Sequence, residues 1–127
     1  MKRILLIEPN TSLARLYQHM LTREGYEVSH ATGAQAGIDA ADKASPDVVI
    51  LELQLPRHSG IEFLHEFRSY AEWWEVPVIV NTAIPPSKLE PAQDALKADL
   101  GVRTILYKPR ATLALLSQAV NEQLLSS

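Results

Sequence analysis

Short apolar runs alternate with amphipathic stretches five times along the chain. "RILLI" (Arg3 to Ile7), "DVVILEL" (Asp47 to Leu53) and "VPVIVNTA" (Val76 to Ala83) are the most apolar runs, and "VRTILY" (Val102 to Tyr107) is a further strand. Strands covered by helices on both faces have this pattern, whereas a strand with one wet face alternates. Pro77 falls near the start of the fourth strand, where a missing N–H is tolerated. "EVSHA" (Glu27 to Ala31) is more polar and reads as an edge strand.

Helices fill the gaps. "NTSLARLYQHMLTREGY" opens on Asn10 as a cap, stripes Leu13, Leu16, Tyr17, Met20 and Leu21 along one face, and stops at Gly25. "AQAGIDAADKA" is a small-residue helix through Ala34, Ile38 and Ala41, which predicts close approach to the sheet. "SGIEFLHEFRSY" predicts a helix burying Phe63, Leu64 and Phe67, and "ATLALLSQAVNEQLL" a last helix with the core stripe Leu113, Leu116, Val120 and Leu124. In "IPPSKLEPAQDALKADLG" the residues Pro85, Pro86 and Pro91 argue against a regular helix before about Ala92. The fourth helix is therefore expected late, short, or at the end of a long loop.

Strictly alternating βα units predict an open, doubly wound sheet of five parallel strands in a three-layer α/β/α, flavodoxin-like arrangement. A length of 127 residues, without linker, repeat or low-complexity segment, fits one domain over residues 1–127. In such sheets ligands sit beyond the carboxyl ends of the strands. The residues at those ends are Glu8, Glu52, Thr82 and Lys108, so one rim is expected to gather two acids, a hydroxyl and a cation.

Composition narrows the function classes. An apolar fraction of 46% with 21% charged residues is that of an ordinary globular protein, and a net charge of −3 gives no reason to expect nucleic acid or an anionic membrane as partner. Cysteine is absent, which excludes a disulfide framework or thiolate metal site, and no apolar run reaches membrane-spanning length. The apolar patch in "MKRILLIEPN" is cut short by Glu8 and Pro9 and is no secretion signal, so a cytoplasmic protein is expected. No glycine-rich loop follows a strand, which speaks against a small-molecule or nucleotide binder with a phosphate cradle.

Four ordered segments carry a resemblance. "ILLIEPN" resembles a first strand that ends in an acidic pair, "DVVILELQLPRHSGIEFL" a segment with a phosphoacceptor followed by Pro and Gly, "VIVNTA" a Thr-Ala strand end, and "ILYKP" a Lys-Pro strand end. Over its whole length the chain resembles the CheY-like receiver domain of two-component response regulators. The resemblance implies phosphoryl transfer from a histidine kinase to an aspartate, assisted by a divalent metal held by that aspartate and the second acid of the pair. It further implies that the Thr hydroxyl and the Lys ammonium hold the attached phosphate. An aromatic on the fifth strand then follows the Thr inward, and the face of the fourth helix, fifth strand and fifth helix changes its affinity for partners.

Residue by residue, the carry-over fails at three places. Thr82, Ala83 and Lys108 match, but Glu52 stands at the acceptor position, and its extra methylene moves the carboxylate about an ångström, enough to cost orders of magnitude in rate. Glu8 fills the first position of the acidic pair and Pro9 the second, and proline has no group to coordinate a cation. Magnesium binding is therefore expected to be weak or absent, with no metal ligand and no catalytic residue assigned. The switch position three residues before Lys108 is Ile105, and Tyr107 is expected to point to the opposite face from Leu106.

These departures predict a pseudo-receiver: not an enzyme, without an effector domain in this chain, acting on protein partners such as a histidine kinase or a downstream regulator. The fourth helix, fifth strand and fifth helix are its expected association face, including in a homodimer, with Ala111, Leu115 and "IPPSKLEP" contributing. The competing reading is an active phosphoacceptor in which Glu52 or another acid is phosphorylated. Burial of Glu52 calls for pairing with Lys108, and that pair is open to two readings: a partial imitation of the phosphate charge, or a structural ion pair left after loss of function. His58 reads as a solvated loop residue, and His19, His30 and His65 fall on separate elements and make no ligand cluster. Trp73 and Trp74 either close the lower end of the core or leave one ring exposed as an anchor for a partner.

Overall fold

The computed structural model describes residues 1–125. Five strands, β1 (Arg3–Ile7), β2 (Glu27–Ala31), β3 (Val48–Leu51), β4 (Val78–Thr82) and β5 (Val102–Tyr107), form one parallel sheet in the order β2-β1-β3-β4-β5. This is the doubly wound, flavodoxin-like order, with its topological switch between β1 and β3. Polar β2 lies at one edge, as its sequence predicts, and every residue of β3 and β4 is buried.

Helices α1 (Thr11–Arg23), α2 (Ala34–Lys43), α3 (Gly60–Phe67), α4 (Pro86–Asp94) and α5 (Leu113–Leu125) cover the two faces. Alternate strand residues build two separate cores. Leu5, Ile7, Val49, Leu51, Val78 and Val80 pack under α2, α3 and α4, while Ile4, Leu6, Val48, Ile50 and Ile79 pack under α1 and α5. The Asn10 side chain caps α1 by accepting from the Leu13 N–H at 3.0 Å, and Gly25 supplies the left-handed residue that ends it, with φ +96°. Close approach of α2 to the sheet is real: a Cβ on Gly37 would lie 2.7 Å from Ile7 Cδ1.

The structure corrects the expectation for the fourth helix. α4 starts at Pro86, well before Ala92, because at the first helical position a missing N–H is unpaired in any case. Pro91 sits inside the helix on its exposed side, where it deprives only the Ser87 carbonyl of a bond, and Leu89 holds the segment to the core. The chain then widens into a π-helical turn over Ala95–Asp99, closed by the Leu100 N–H on the Ala95 carbonyl at 3.1 Å.

Two apolar stripes are also corrected. Leu16 is 49% exposed and Leu113 36% exposed, although both fall on helical faces with the core periodicity. Periodicity assigns a residue to a face; it does not say how far the neighbouring elements cover that face. The third helix ends earlier than expected, at Phe67, and a 3-10 turn (Ala71–Trp73) follows it. Trp73 is buried and stacks on Phe67 with ring centroids 4.9 Å apart, whereas Trp74 is 65% exposed. Trp73 thus closes the lower end of the core, and the ring left exposed is that of Trp74.

Below the sheet Arg68 fastens the turn regions. Its guanidinium donates to the carbonyls of Trp73 at 2.6 Å, Leu100 at 2.9 Å and Gly101 at 3.3 Å. Half-buried, it satisfies carbonyls that the ends of secondary structure leave without partners.

Candidate functional site

The sheet itself positions the site. The ladders continue one residue beyond three strand ends: Glu8 N–H donates to the Ala31 carbonyl at 3.0 Å, Glu52 N–H to Ile7 at 3.0 Å, and Lys108 N–H to Thr82 at 2.8 Å. Glu8, Glu52, Thr82 and Lys108 are thereby held side by side at the carboxyl rim. After Glu52 the chain must turn tightly into α3. Gly60 makes this corner fit, because a Cβ there would lie 2.7 Å from Leu53 Cα and 2.8 Å from the Glu52 carbonyl oxygen.

Four donors converge on the Glu52 carboxylate. Oε1 accepts from Lys108 Nζ at 2.7 Å and from the Ala83 N–H at 3.1 Å; Oε2 accepts from the Gln54 N–H at 3.0 Å and from the Thr82 hydroxyl. Glu52 is 3% exposed, so a carboxylate lacking these donors would be prohibitively costly there. Burial pushes its pKa upward, but the hydrogen bonds from Lys108, Thr82, Gln54 and Ala83 outweigh burial and leave it below the ordinary carboxyl value.

Lys108 also serves the second rim acid, a contact that the sequence reading did not include. Its Nζ also lies 2.7 Å from Glu8 Oε1, so one ammonium bridges two buried carboxylates. Burial lowers the lysine pKa, yet the bonds and charges of Glu52 and Glu8 prevail and hold it above the ordinary value. The other Glu8 oxygen accepts from the Asn10 N–H at 3.0 Å, and His30 Nε2 lies 2.8 Å from the Glu8 carbonyl oxygen. Sequence reasoning also missed the Gln54 and Asn10 amides. Both stand two residues after an acid, the spacing at which a side-chain oxygen reaches a following N–H.

Other predicted residues fall where their local chemistry puts them. Pro9 is half-buried at the rim, and its side chain offers no donor or ligand atom. Ile105 packs against the core layer under α4, and Leu106, the next residue, against the layer under α1 and α5. Tyr107 therefore shares the Ile105 face, with the Arg110 guanidinium 5.4 Å from its ring centre. His58 is exposed, and its Nδ1 lies 2.9 Å from Glu62 Oε2 rather than against the Glu52 carboxylate. Beneath the site, Asn81 Nδ2 donates to the Tyr17 hydroxyl at 3.0 Å and ties α1 to β4.

A divalent cation does not fit this donor set. Both rim carboxylates already hold the Lys108 ammonium, the position beside Glu8 is a proline, and among the described residues no cluster of three or more His, Asp or Glu groups is arranged to hold a metal.

Residues 4–121 match the family described as "Response regulator receiver domain". The chain belongs to this family. It is 33% identical over 109 residues to the KDP operon transcriptional regulatory protein KdpE of Escherichia coli K12, covering 86% of this chain and 45% of that protein. It is 30% identical over 108 residues to the alkaline phosphatase synthesis transcriptional regulatory protein PhoP of Bacillus subtilis, covering 85% and 42%. The chain thus spans about half the length of the curated relatives it matches. Among solved structures, the chemotaxis response regulator CheY4 of Vibrio cholerae superposes with a TM-score of 0.85 at 26% identity, covering 97% of this chain and 98% of that one. A CheY-like receiver domain protein from Methanospirillum hungatei JF-1 superposes equally well, with a TM-score of 0.85 at 25% identity and 99% and 95% coverage. The receiver fold and its place in two-component signalling follow; receiver domains are typically signalling modules without enzymatic activity of their own. Among the described residues no helix is long and apolar enough to cross a membrane.

Proposed function

We propose that this receiver domain is a pseudo-receiver: a cytoplasmic signalling module over residues 1–127 that acts by binding proteins and is not switched by aspartyl phosphorylation. One observation carries the reading. The carboxylate at the acceptor position is saturated by the ammonium, hydroxyl and two amides around it, so neither oxygen is free to attack phosphorus. Pro9 and the Lys108 bridge support the same reading, because they leave no anionic site for the cation that would neutralise a phosphoryl group.

Under this proposal Glu52 replaces a transient ligand with a permanent one. It holds Thr82 and Ala83 against the rim at all times, and the face of α4, β5 and α5 is presented in one fixed form to a histidine kinase, a downstream regulator or a second copy. Ile105, aliphatic and packed against the core, fits a domain without an aromatic toggle. The test is intact-mass spectrometry after incubation with magnesium and acetyl phosphate. No phosphoryl adduct is expected on the native chain; an adduct mapped to Glu52 or another acid makes the domain an active phosphoacceptor and overturns the proposal.

A further inference from the structure

An aromatic ladder runs out of the core at the lower end of the molecule. Phe63 stacks on Phe67 with ring centroids 5.3 Å apart, Phe67 on Trp73 at 4.9 Å, and Trp73 meets Tyr70 edge-on at 5.0 Å. Phe63, Phe67 and Trp73 are buried, whereas Tyr70 and Trp74, which bracket the 3-10 turn, are 42% and 65% exposed. The backbone that carries the two outer rings is held fast. Trp73 N–H donates to the Tyr70 carbonyl at 3.0 Å, Trp74 N–H to Ala71 at 3.3 Å and Val76 N–H to Trp73 at 3.3 Å, while the Trp73 indole N–H donates to Ser45 Oγ at 3.3 Å. Core packing accounts for Trp73 but not for Trp74, whose ring is a large aromatic surface left to solvent on an ordered turn. Such a ring is a preorganised anchor, since its backbone has little freedom left to lose on binding.

The charges of the turn select the occupant. Glu72 and Glu75 flank the two tryptophans and Glu66 lies about one turn before Tyr70; all three are exposed and form no ion pair among the described residues. The cation of this segment, Arg68, is half-buried with its N–H groups spent on carbonyls, and Arg103 on β5 is close enough to repel its charge. We infer that this face is a docking site for an arginine-bearing segment of a partner protein, whose guanidinium groups stack on Trp74 and Tyr70 and pair with Glu72 and Glu75. A guanidinium suits both halves of the surface, because it is planar and weakly hydrated enough to lie on an indole and forked enough to grip a carboxylate. The turn precedes β4, at the end of the sheet opposite Glu52, Thr82 and Lys108, so the inference does not depend on what the rim does.

Intrinsic fluorescence reads this face directly, because the chain has two tryptophans and Trp74 is the exposed one. The probe is a short Gly-Ser peptide with arginine at every third position, titrated into the full chain, beside peptides carrying lysine or glutamate instead. A saturable change in Trp74 emission is expected with the arginine peptide, binding about threefold weaker or worse with lysine, and no change with glutamate. NMR shifts should fall within residues 66–76. Trp74→Ala, followed by NMR, and the double variant Glu72→Gln, Glu75→Gln should each weaken binding of the arginine peptide at least about tenfold. All three side chains are exposed, so both variants should melt like the parent. Equal binding of the arginine and lysine peptides, undiminished affinity in either variant, shifts mapping elsewhere, or no binding overturns the inference. So does self-association that Trp74→Ala abolishes, or insertion of Trp74 into phosphatidylcholine vesicles while the arginine peptide stays free.

Discussion

Lys108 Nζ stands 2.7 Å from Glu52 Oε1, and the pair joins the ends of β5 and β3 across β4. Since Glu8 shares the same ammonium, removing the lysine strands two buried carboxylates, whereas removing Glu52 leaves Lys108 with a remaining partner. Lys108→Met is therefore expected to cost about 3–5 kcal/mol and Glu52→Ala clearly less, measured by urea unfolding. Equal losses from the two variants would contradict the bridging role.

The two ends of the pair set opposite pH limits. The pKa of Glu52 is depressed on folding, so its contribution is fully present above the ordinary carboxyl value of about 4.3 and is lost as pH falls through the folded-state value. The pKa of Lys108 is raised, so its contribution is fully present below about 10.4 and is lost as pH rises through its folded-state value. Thermal midpoints across pH should show a plateau between these limits, and Glu52→Gln should soften the acid limb. An acid limb unchanged in that variant would assign it to other groups.

Gly60 tests the corner that aims Glu52. A methyl group at this position meets backbone atoms of Leu53 and Glu52, which cannot rotate away. Gly60→Ala should cost about 1–3 kcal/mol and shift the amide resonances of Gln54 and Ala83, the two that report on the carboxylate. Unchanged amides with lowered stability would separate the corner from the site.

Arg68 makes the opposite prediction. Its bonds to the carbonyls of Trp73, Leu100 and Gly101 lie at the lower end of the molecule. Arg68→Ala should destabilise by about 2–3 kcal/mol in urea while leaving the resonances of Ala83 and Gln54 in place.

The strands were legible because residues buried on both faces must be apolar, and the strand ends follow once the sheet is doubly wound. Glu52 facing Lys108 and Thr82 could be read from that alone. The Glu8 contact could not, since it depends on how far the Lys108 side chain reaches between two acids. α4 was misread because the rule against proline holds for helix interiors and not for a first turn, and because a single lost bond on the exposed side at Pro91 is tolerated. Leu16 and Leu113 were misread for another reason: their periodicity is correct, but among the described residues no element covers that part of α1 and α5.

The central claim is that Glu52 and Pro9 have closed the phosphoryl site of a receiver. It is tested most directly by titrating magnesium and beryllofluoride into the native chain and into the double variant Pro9→Asp, Glu52→Asp, with NMR detection of Ala83, Gln54 and Lys108. The native chain should show no saturable shift, and the double variant, with a shorter acceptor and a restored acidic pair, should show one. Saturable binding by the native chain, with shifts at Ala83 and Lys108, would contradict the account.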